Sequence, residues 1–337
     1  MNLSDAIKKV VEGKSLSREE ARDAMNAIMS GESTQAQIGS YITALRMKGE
    51  IVDEIAGSAE AMREHAGRID ASPEFLVDTC GTGGDGAHTI NVSTLAGLIA
   101  AGAGVQVAKH GNRAVSSKCG SADVLKELGV RIDAEPEAVK RCLDKANIGF
   151  FFAPLWHGAM KHAIGPRREI GIRTIFNILG PLCNPAGARR QVLGVFNPDL
   201  TEVMAGVLKE LGSTHVWVVH GSDGLDEITI SGPTRVTELR DGEIKTFNVY
   251  PMDVGVKESS LEKVRGGDTA QNAKIVNDVL SGWKGPCRDI SVLNAAAAIL
   301  VGGKAGTIEE GVEKARESID TGNAAEALKT FVTVSNQ

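Results

Sequence analysis

"FLVDTCGTGGDG", residues 75–86, decides how the rest of the chain is read. A short apolar run, Phe75 to Val77, leads into Gly81, Gly83, Gly84 and Gly86. The run predicts a strand feeding a tight loop, and the glycines satisfy G-x-G-x-x-G, the fingerprint of dinucleotide-binding folds. That fingerprint has a second requirement, an acidic residue about 20 positions on to bind the ribose. Between Gly86 and Ala122 there is no Asp or Glu. The chain continues instead with "HTINVST", residues 88–94, which places Thr89, Asn91, Ser93 and Thr94 around the start of the next helix pattern. Hydroxyls, an amide and free N–H groups at a helix N-terminus suit an anion. The loop therefore reads as a phosphate cradle, with a ligand-free strand-to-helix turn as the competing reading.

Outward from this loop, β-rich runs alternate with helix patterns. The runs are "FLVDT", "VQVAKH", "GVRID", "IGFFFA", "QVLGVF", "THVWVVHG", "RVTEL" and "IKTFNV". Between several of them lie helix patterns such as "STLAGLIAAGAG", "PEAVKRCLDKA" and "LTEVMAGVLKELG". This alternation predicts an α/β domain with a mostly parallel central sheet flanked by helices. The tail from 268 to 334 is again helical, with "SVLNAAAAILVGG" as a buried helix.

Residues 1–68 read differently. Ser17 with Glu20, and Thr34 with Gln37, form capping-box patterns. Apolar residues then recur at helical spacing: Ala21, Ala24, Met25, Ile28, and Ile38, Tyr41, Ile42, Leu45. Gly13, Gly31, Gly49 and Gly67 fall where helices should stop. The result is a small N-terminal helical domain, 1–70, for packing or dimerisation, beside a larger domain, 71–337. The segment 155–190 interrupts the β-α alternation. It is helical, rich in Arg and His, and closed by Pro181 and Pro185. Its helices within 155–185 are expected to pack on the N-terminal unit.

Composition narrows the function. The 337 residues suggest about two domains. Aromatics are 4 % and the net charge is −6, which disfavours a base-stacking platform or a broad nucleic-acid surface but permits a local basic pocket. Cys80, Cys119, Cys142, Cys183 and Cys287 are scattered, odd in number and without a C-x-x-C pair, so reduced thiols in a cytoplasmic protein are expected. The N-terminus has no apolar h-region and no stretch reaches membrane-spanning length.

Two further stretches carry chemistry. "KHGNRAVSSKCGS", residues 109–121, combines Lys109, Arg113 and Lys118 with Ser116, Ser117 and Ser121 and with Gly111 and Gly120. Compact and strand-terminal, it suits a diphosphate or sugar phosphate better than a nucleic acid, and a solvated turn would not usually combine so many small donors with so few acids. "HGSDGLDEITI" puts Asp223, Asp226 and Glu227 after the apolar run "VWVVHG". Carboxylates at a strand end beside two anion loops suit Mg²⁺, which takes one or two carboxylates plus substrate phosphates. Taken alone, the acidic pair reads equally well as a charged surface turn.

Together, "DTCGTGGDG", "NVST", "KHGNRAVSS", "GPRREIGIRTIFNILGPLCNP" and "GLDEIT" resemble the anthranilate phosphoribosyltransferase family in order and spacing, over essentially the whole chain. The resemblance implies a helical domain joined to an α/β phosphoribosyl-binding domain, and a homodimer formed through the helical domain. It implies transfer of phosphoribose from phosphoribosyl pyrophosphate (PRPP) to the amine of anthranilate, in tryptophan biosynthesis, with Mg²⁺. By matching position it assigns PRPP to Gly81, Gly84, Asp85, Thr89, Asn91, Val92, Ser93 and Thr94. It adds the run Lys109, His110, Gly111, Asn112, Arg113, Ala114, Val115, Ser116 and Ser117, and Ser121. Mg²⁺ falls to Ser93, Asp226 and Glu227. Anthranilate falls to Gly81, His110, Asn112, His157 and Arg167. Ile90 stands where many relatives have Phe, an apolar exchange.

The implied nucleophile is the substrate's own amine, so no covalent nucleophile is required, and no Ser-His-Asp or Cys-His arrangement stands out. Cys80 reads as a small filler. The nearest rival is a nucleoside phosphorylase of similar fold, using phosphate and a nucleoside. A second rival is a non-catalytic ligand-binding protein, which would need no acidic pair. No nucleic-acid or membrane partner is expected.

Overall fold

The computed structural model describes residues 1–69, 71, 75–114 and 119–337. Four helices open the chain: α1 (Leu3–Val11), α2 (Arg18–Met29), α3 (Gln35–Lys48) and α4 (Val52–Glu64). The capping boxes form as read: Ser17 accepts from the Glu20 N–H and Thr34 from the Gln37 N–H, each at 3.2 Å. The apolar positions that follow each cap are fully buried.

The second part alternates: β1 (Val77–Gly81), α5 (Val92–Gly102), β2 (Val107–Gly111), α6 (Ser121–Glu127), α7 (Pro136–Ala146) and β3 (Ile148–Phe152). Short helices follow: α8 (Ala153–Trp156), α9 (Lys161–Ile170) and α10 (Phe176–Leu179). Alternation then resumes through β4 (Arg190–Gly194), α11 (Leu200–Glu210), β5 (His215–Gly221), β6 (Thr234–Arg240) and β7 (Glu243–Val249). Four helices close the chain: α12 (Thr269–Leu280), α13 (Pro286–Val301), α14 (Ile308–Asp320) and α15 (Asn323–Ser335).

The seven strands lie in the order β3-β2-β1-β4-β5-β6-β7. The first five are parallel and β6 and β7 are antiparallel additions at one edge. Because strand side chains alternate between faces, the strand residues divide among separate cores. Val216 and Val218 of β5 join the core that contains the N-terminal helices and α11. Trp217 and Val219 join the core of α5 and the C-terminal helices. Helix α9, in the segment that interrupts the alternation, packs against α3 and α2.

One expected strand is absent. "GVRID", residues 129–133, forms a turn between α6 and α7. Gly129 takes φ +93°, and the Arg131 N–H donates to the Ser335 hydroxyl of α15 instead of to a strand. Val130 and Ile132 are buried, but as anchors of that turn. An apolar alternation of this length needs a neighbouring strand to become one, and none is available there.

Strand order reverses at β1, with β2 on one side and β4 on the other. In open parallel sheets a crevice forms at such a switch point, outside the carboxyl ends of the strands. The glycine loop leaves β1 directly into it.

Candidate active site

Strands β1, β2, β4 and β5 each end on glycine: Gly81, Gly111, Gly194 and Gly221. The reason is close approach. A Cβ on Gly194 would sit 1.5 Å from the Asp226 carbonyl oxygen, and one on Gly81 would sit 2.4 Å from Asp226 Oδ2. The turn after β5 therefore lies directly across the strand ends. Asp223 shapes that turn by accepting from the Thr229 hydroxyl at 2.6 Å and from the Ser231 hydroxyl. The acidic pair is thus no solvated turn: Asp226 is buried and Glu227 half-buried.

Asp226 reaches the glycine loop and Glu227 the start of α5. Asp226 Oδ2 accepts the Gly83 N–H at 2.7 Å, and Glu227 Oε1 accepts the Ser93 N–H at 3.2 Å. Burial, with Asp85 nearby, pushes the Asp226 carboxyl up to about 7. Burial and then the neighbouring Asp226 also raise Glu227 well above the usual carboxylate range. Lys109 of β2 is buried beneath them, with Nζ donating to the Thr79 carbonyl at 2.6 Å and to Ser93 Oγ at 3.3 Å. Burial lowers its pKa against the opposing pull of Asp78, Cys80 and Glu227. Carboxylates that resist ionisation this strongly call for a further cation. Asp226, Glu227 and the Ser93 hydroxyl supply hard oxygen donors. No group of three His, Cys, Asp or Glu side chains poised for a metal occurs among the described residues. That donor set fits Mg²⁺, which completes its shell with substrate phosphates and water.

The two anion loops differ in what they leave free. Val92 lies in the core, so its side chain faces away from the crevice. Thr94 is buried too, and its hydroxyl has no hydrogen-bond partner. Asn91, at the start of α5, donates to the Cys119 carbonyl at 3.1 Å and accepts from Asn272 Nδ2 at 3.0 Å. Its side chain thereby ties this helix start to α12. Thr89 pairs with Arg265 in an isolated bridge. In the second loop, Asn112 and Arg113 are exposed, and the Ser121 hydroxyl donates to the Asn112 carbonyl at 3.2 Å. Asp123, which the sequence reading passed over, closes the loop by accepting from the Ala114 and Gly120 N–H groups at 3.1 and 2.9 Å. Its place in the first turn of α6 is a capping signal that could have revealed it. Val115, Ser116, Ser117 and Lys118 lie outside the described residues.

The third wall comes from the irregular helical segment. His157 and His110 meet Nε2 to Nε2 at 3.2 Å, both buried. Burial, with His157 adding to it, pushes His110 down to about 3, and burial pushes His157 down to about 4. Both imidazoles are therefore neutral at neutral pH. Arg167 of α9 is half-buried and lies over the Phe176 ring at 5.2 Å, its pKa lowered by burial. A guanidinium that is partly desolvated and carried on a helix suits a carboxylate ligand. Arg173, also missed in the sequence, donates to the Gly84 carbonyl and lies over Phe196 at 4.2 Å. Cys80 is buried, its thiol raised well above its ordinary pKa by burial, and accepts from Gln191 Nε2 at 3.1 Å. A thiol so placed is inert.

Residues 74–325 match the glycosyl transferase family, a/b domain, and residues 4–66 match the glycosyl transferase family, helical bundle domain. The anthranilate phosphoribosyltransferase of Moorella thermoacetica is 55 % identical over 330 residues, covering 98 % of this chain and 97 % of that one. The enzyme of the same name from Acetivibrio thermocellus is 54 % identical over 334 residues, covering 99 % and 97 %. Among solved structures, anthranilate phosphoribosyltransferase from Thermus thermophilus superposes with a TM-score of 0.93 at 44 % identity, covering 99 % of this chain and 100 % of that one. The Saccharomyces cerevisiae enzyme in complex with PRPP and Mg gives 0.90 at 31 % identity, covering 99 % and 98 %.

Proposed function

Because the chain belongs to the anthranilate phosphoribosyltransferase family, we propose that its crevice works as two half-sites joined at the glycine loop. The reaction is transfer of the phosphoribosyl group of PRPP to the amine of anthranilate, giving N-(5-phosphoribosyl)anthranilate and pyrophosphate, in tryptophan biosynthesis. One observation carries the reading. The acidic pair, 143 and 134 residues from its partners, presents Asp226 to the glycine loop and Glu227 to the α5 start, the two segments that receive PRPP.

In the first half-site, the glycine loop from Gly81 to Asp85, the α5 start and the 109–121 turn hold PRPP. Backbone N–H groups and hydroxyls clustered at strand ends and a helix start suit phosphate oxygens, and exposed Arg113 adds charge. Asp226, Glu227 and the Ser93 hydroxyl hold Mg²⁺, the cofactor of the reaction. Bound there, it offsets the negative charge that grows on the departing pyrophosphate. Lys109 fixes the Ser93 hydroxyl from below.

In the second half-site, Arg167 clamps the anthranilate carboxylate. Neutral His110 and His157 line the approach, so the ring meets an uncharged surface and the amine keeps its lone pair. No residue is needed as a covalent nucleophile. The chain's contribution is positioning and electrostatics. The helical unit 1–70 with the helices of 155–185 forms one domain and residues 71–337 the other. Exposed apolar Met47 on α3 and Ile164 on the adjoining α9 support a homodimer through that helical domain. No helix among the described residues is long and apolar enough to cross a membrane, which accords with a cytoplasmic enzyme.

The test is fluorescence of anthranilate in the presence of purified protein, PRPP and Mg²⁺. PRPP-dependent loss is expected. Untouched anthranilate together with phosphate-dependent cleavage of thymidine or uridine would favour the phosphorylase reading.

A further inference from the structure

The glycine loop is held at two places along its length. From the sheet side, the Thr82 N–H donates to the Gly194 carbonyl at 2.9 Å and the Gly83 N–H to Asp226 at 2.7 Å. Thr82 also accepts, through its hydroxyl, from the Phe196 N–H at 3.2 Å. All of these contacts stop at Gly83. Beyond it, the loop turns through Gly84 at φ +82° towards Asp85.

Beyond Gly83 the loop is held by Arg173, in the connection between α9 and α10. Its guanidinium donates to the Gly84 carbonyl and lies over the Phe196 ring at 4.2 Å. The four residues close a circuit: Thr82 holds Phe196, Phe196 supports Arg173, and Arg173 holds Gly84. The packing is tight enough that a Cβ on Gly84 would lie 2.6 Å from Arg173 Nη2. Gly84 is thus required twice, for its left-handed backbone and for the guanidinium against it. Asp85 follows at once and accepts from the Ala87 N–H at 3.2 Å. Its charge bears on both Asp226 and Glu227.

We propose that Arg173 is a positioning residue for the PRPP half of the site, holding the outer end of the glycine loop in the shape that receives the diphosphate. This rests on the reading of that loop as the PRPP cradle. It separates two arginines of one segment: Arg167 stacks on Phe176 and serves the carboxylate of the acceptor, whereas Arg173 stacks on Phe196 and serves the loop. Arginine suits the task because one planar group both stacks and donates, which lysine does not do.

The experiment compares Arg173→Ala, Arg173→Met and Arg173→Lys with the parent. KM is measured for each substrate with the other saturating, and PRPP affinity is measured by calorimetry with Mg²⁺ present. Loss of a charge-assisted hydrogen bond that orders a loop should raise the PRPP KM and Kd about tenfold in Arg173→Ala. The anthranilate KM should stay within about twofold, and because Arg173 is exposed, Tm should move by about 2 °C or less. Arg173→Met keeps an apolar stem over Phe196 but has no donor, so it should behave as alanine does. Arg173→Lys regains a donor without the planar stack and should recover PRPP affinity only in part, between alanine and the parent.

An unchanged PRPP Kd in Arg173→Ala would overturn the proposal. So would parental behaviour in Arg173→Met, because the carbonyl contact would then be idle. A rise confined to the anthranilate KM would move Arg173 to the other half-site. If the parent itself consumes no anthranilate, the reaction assignment fails separately, and the PRPP titration of parent and variants still decides the role of Arg173.

Discussion

The glycine-loop half of the crevice and the α9–α10 half are built by opposite means. In the first, backbone does most of the work. Strand ends, tight turns and a helix start present N–H groups, and the chain closes on them through glycines at Gly81 and Gly194, where a Cβ would collide. In the second, short irregular helices carry individual side chains, Arg167 and His157, each supported by packing against a ring: Phe176 for the arginine, His110 for the histidine. A backbone site needs contiguous sequence and leaves a compact motif. A side-chain site needs only that the right helix come back to the right place. The first half should therefore respond to changes of charge at its centre, and the second to loss of single side chains.

The largest effect is expected where the first half concentrates its charge. Asp226→Asn with Glu227→Gln removes two carboxylates whose ionisation the fold already resists. The rate should fall on the order of a hundredfold or more, as when a leaving-group stabiliser is lost, and the Mg²⁺ titration of initial rate should move to higher concentration. Anthranilate affinity should change far less. An unaltered titration curve and maximal rate would abolish the contrast between the halves.

In the second half, Arg167→Ala should weaken anthranilate use by about tenfold, the usual cost of one partly buried charged contact. The PRPP KM should hold. If it rises while the anthranilate KM does not, the halves have been assigned the wrong way round.

The histidine pair sharpens the comparison through pH. An unfolded histidine titrates near about 6.5, whereas His110 and His157 are held down to about 3 and about 4. The unfolded chain therefore binds protons first as the solution is acidified. The stability these groups contribute is full above about pH 6.5 and is lost as pH falls towards 4, by a few kcal/mol in order of magnitude. Denaturant melts of parent and His157→Asn at pH 7 and pH 4.5 measure this, and the variant should lose less on acidification. Equal losses would mean that the pair is not kept neutral.

The smallest effect is expected at Cys80, which lies beside the loop but belongs to the packing. Cys80→Ser keeps size and an acceptor for Gln191, so activity should stay close to the parental rate. Complete loss of turnover in a folded variant would show chemistry at the thiol after all.

Much of the fold was legible in the sequence, because strand and helix signals are local. Seven of the eight expected β runs became strands. "GVRID" did not, because a strand exists only with a neighbour to pair with, and residues 129–133 have α6, α7 and α15 around them. The site was legible unevenly. "DTCGTGGDG" and "KHGNR" announce themselves by residue type. Arg173, Asp123 and Asn272 do not, since an arginine in a helix connection, an acid in a first turn and an asparagine on a late helix have ordinary uses everywhere.

By itself the sequence determined the order of elements, the two anion turns and the acidic pair, since each depends on residues within a few positions of one another. Only the tertiary structure decided that Asp226 is buried against Gly81, that Lys109 turns inward to Ser93, and that His110 meets His157. The partners come from separate strands and helices, and what each group does is set by the water it loses and the charges it then faces. Desolvation depends on what folds over a residue, and no short stretch of sequence carries that information.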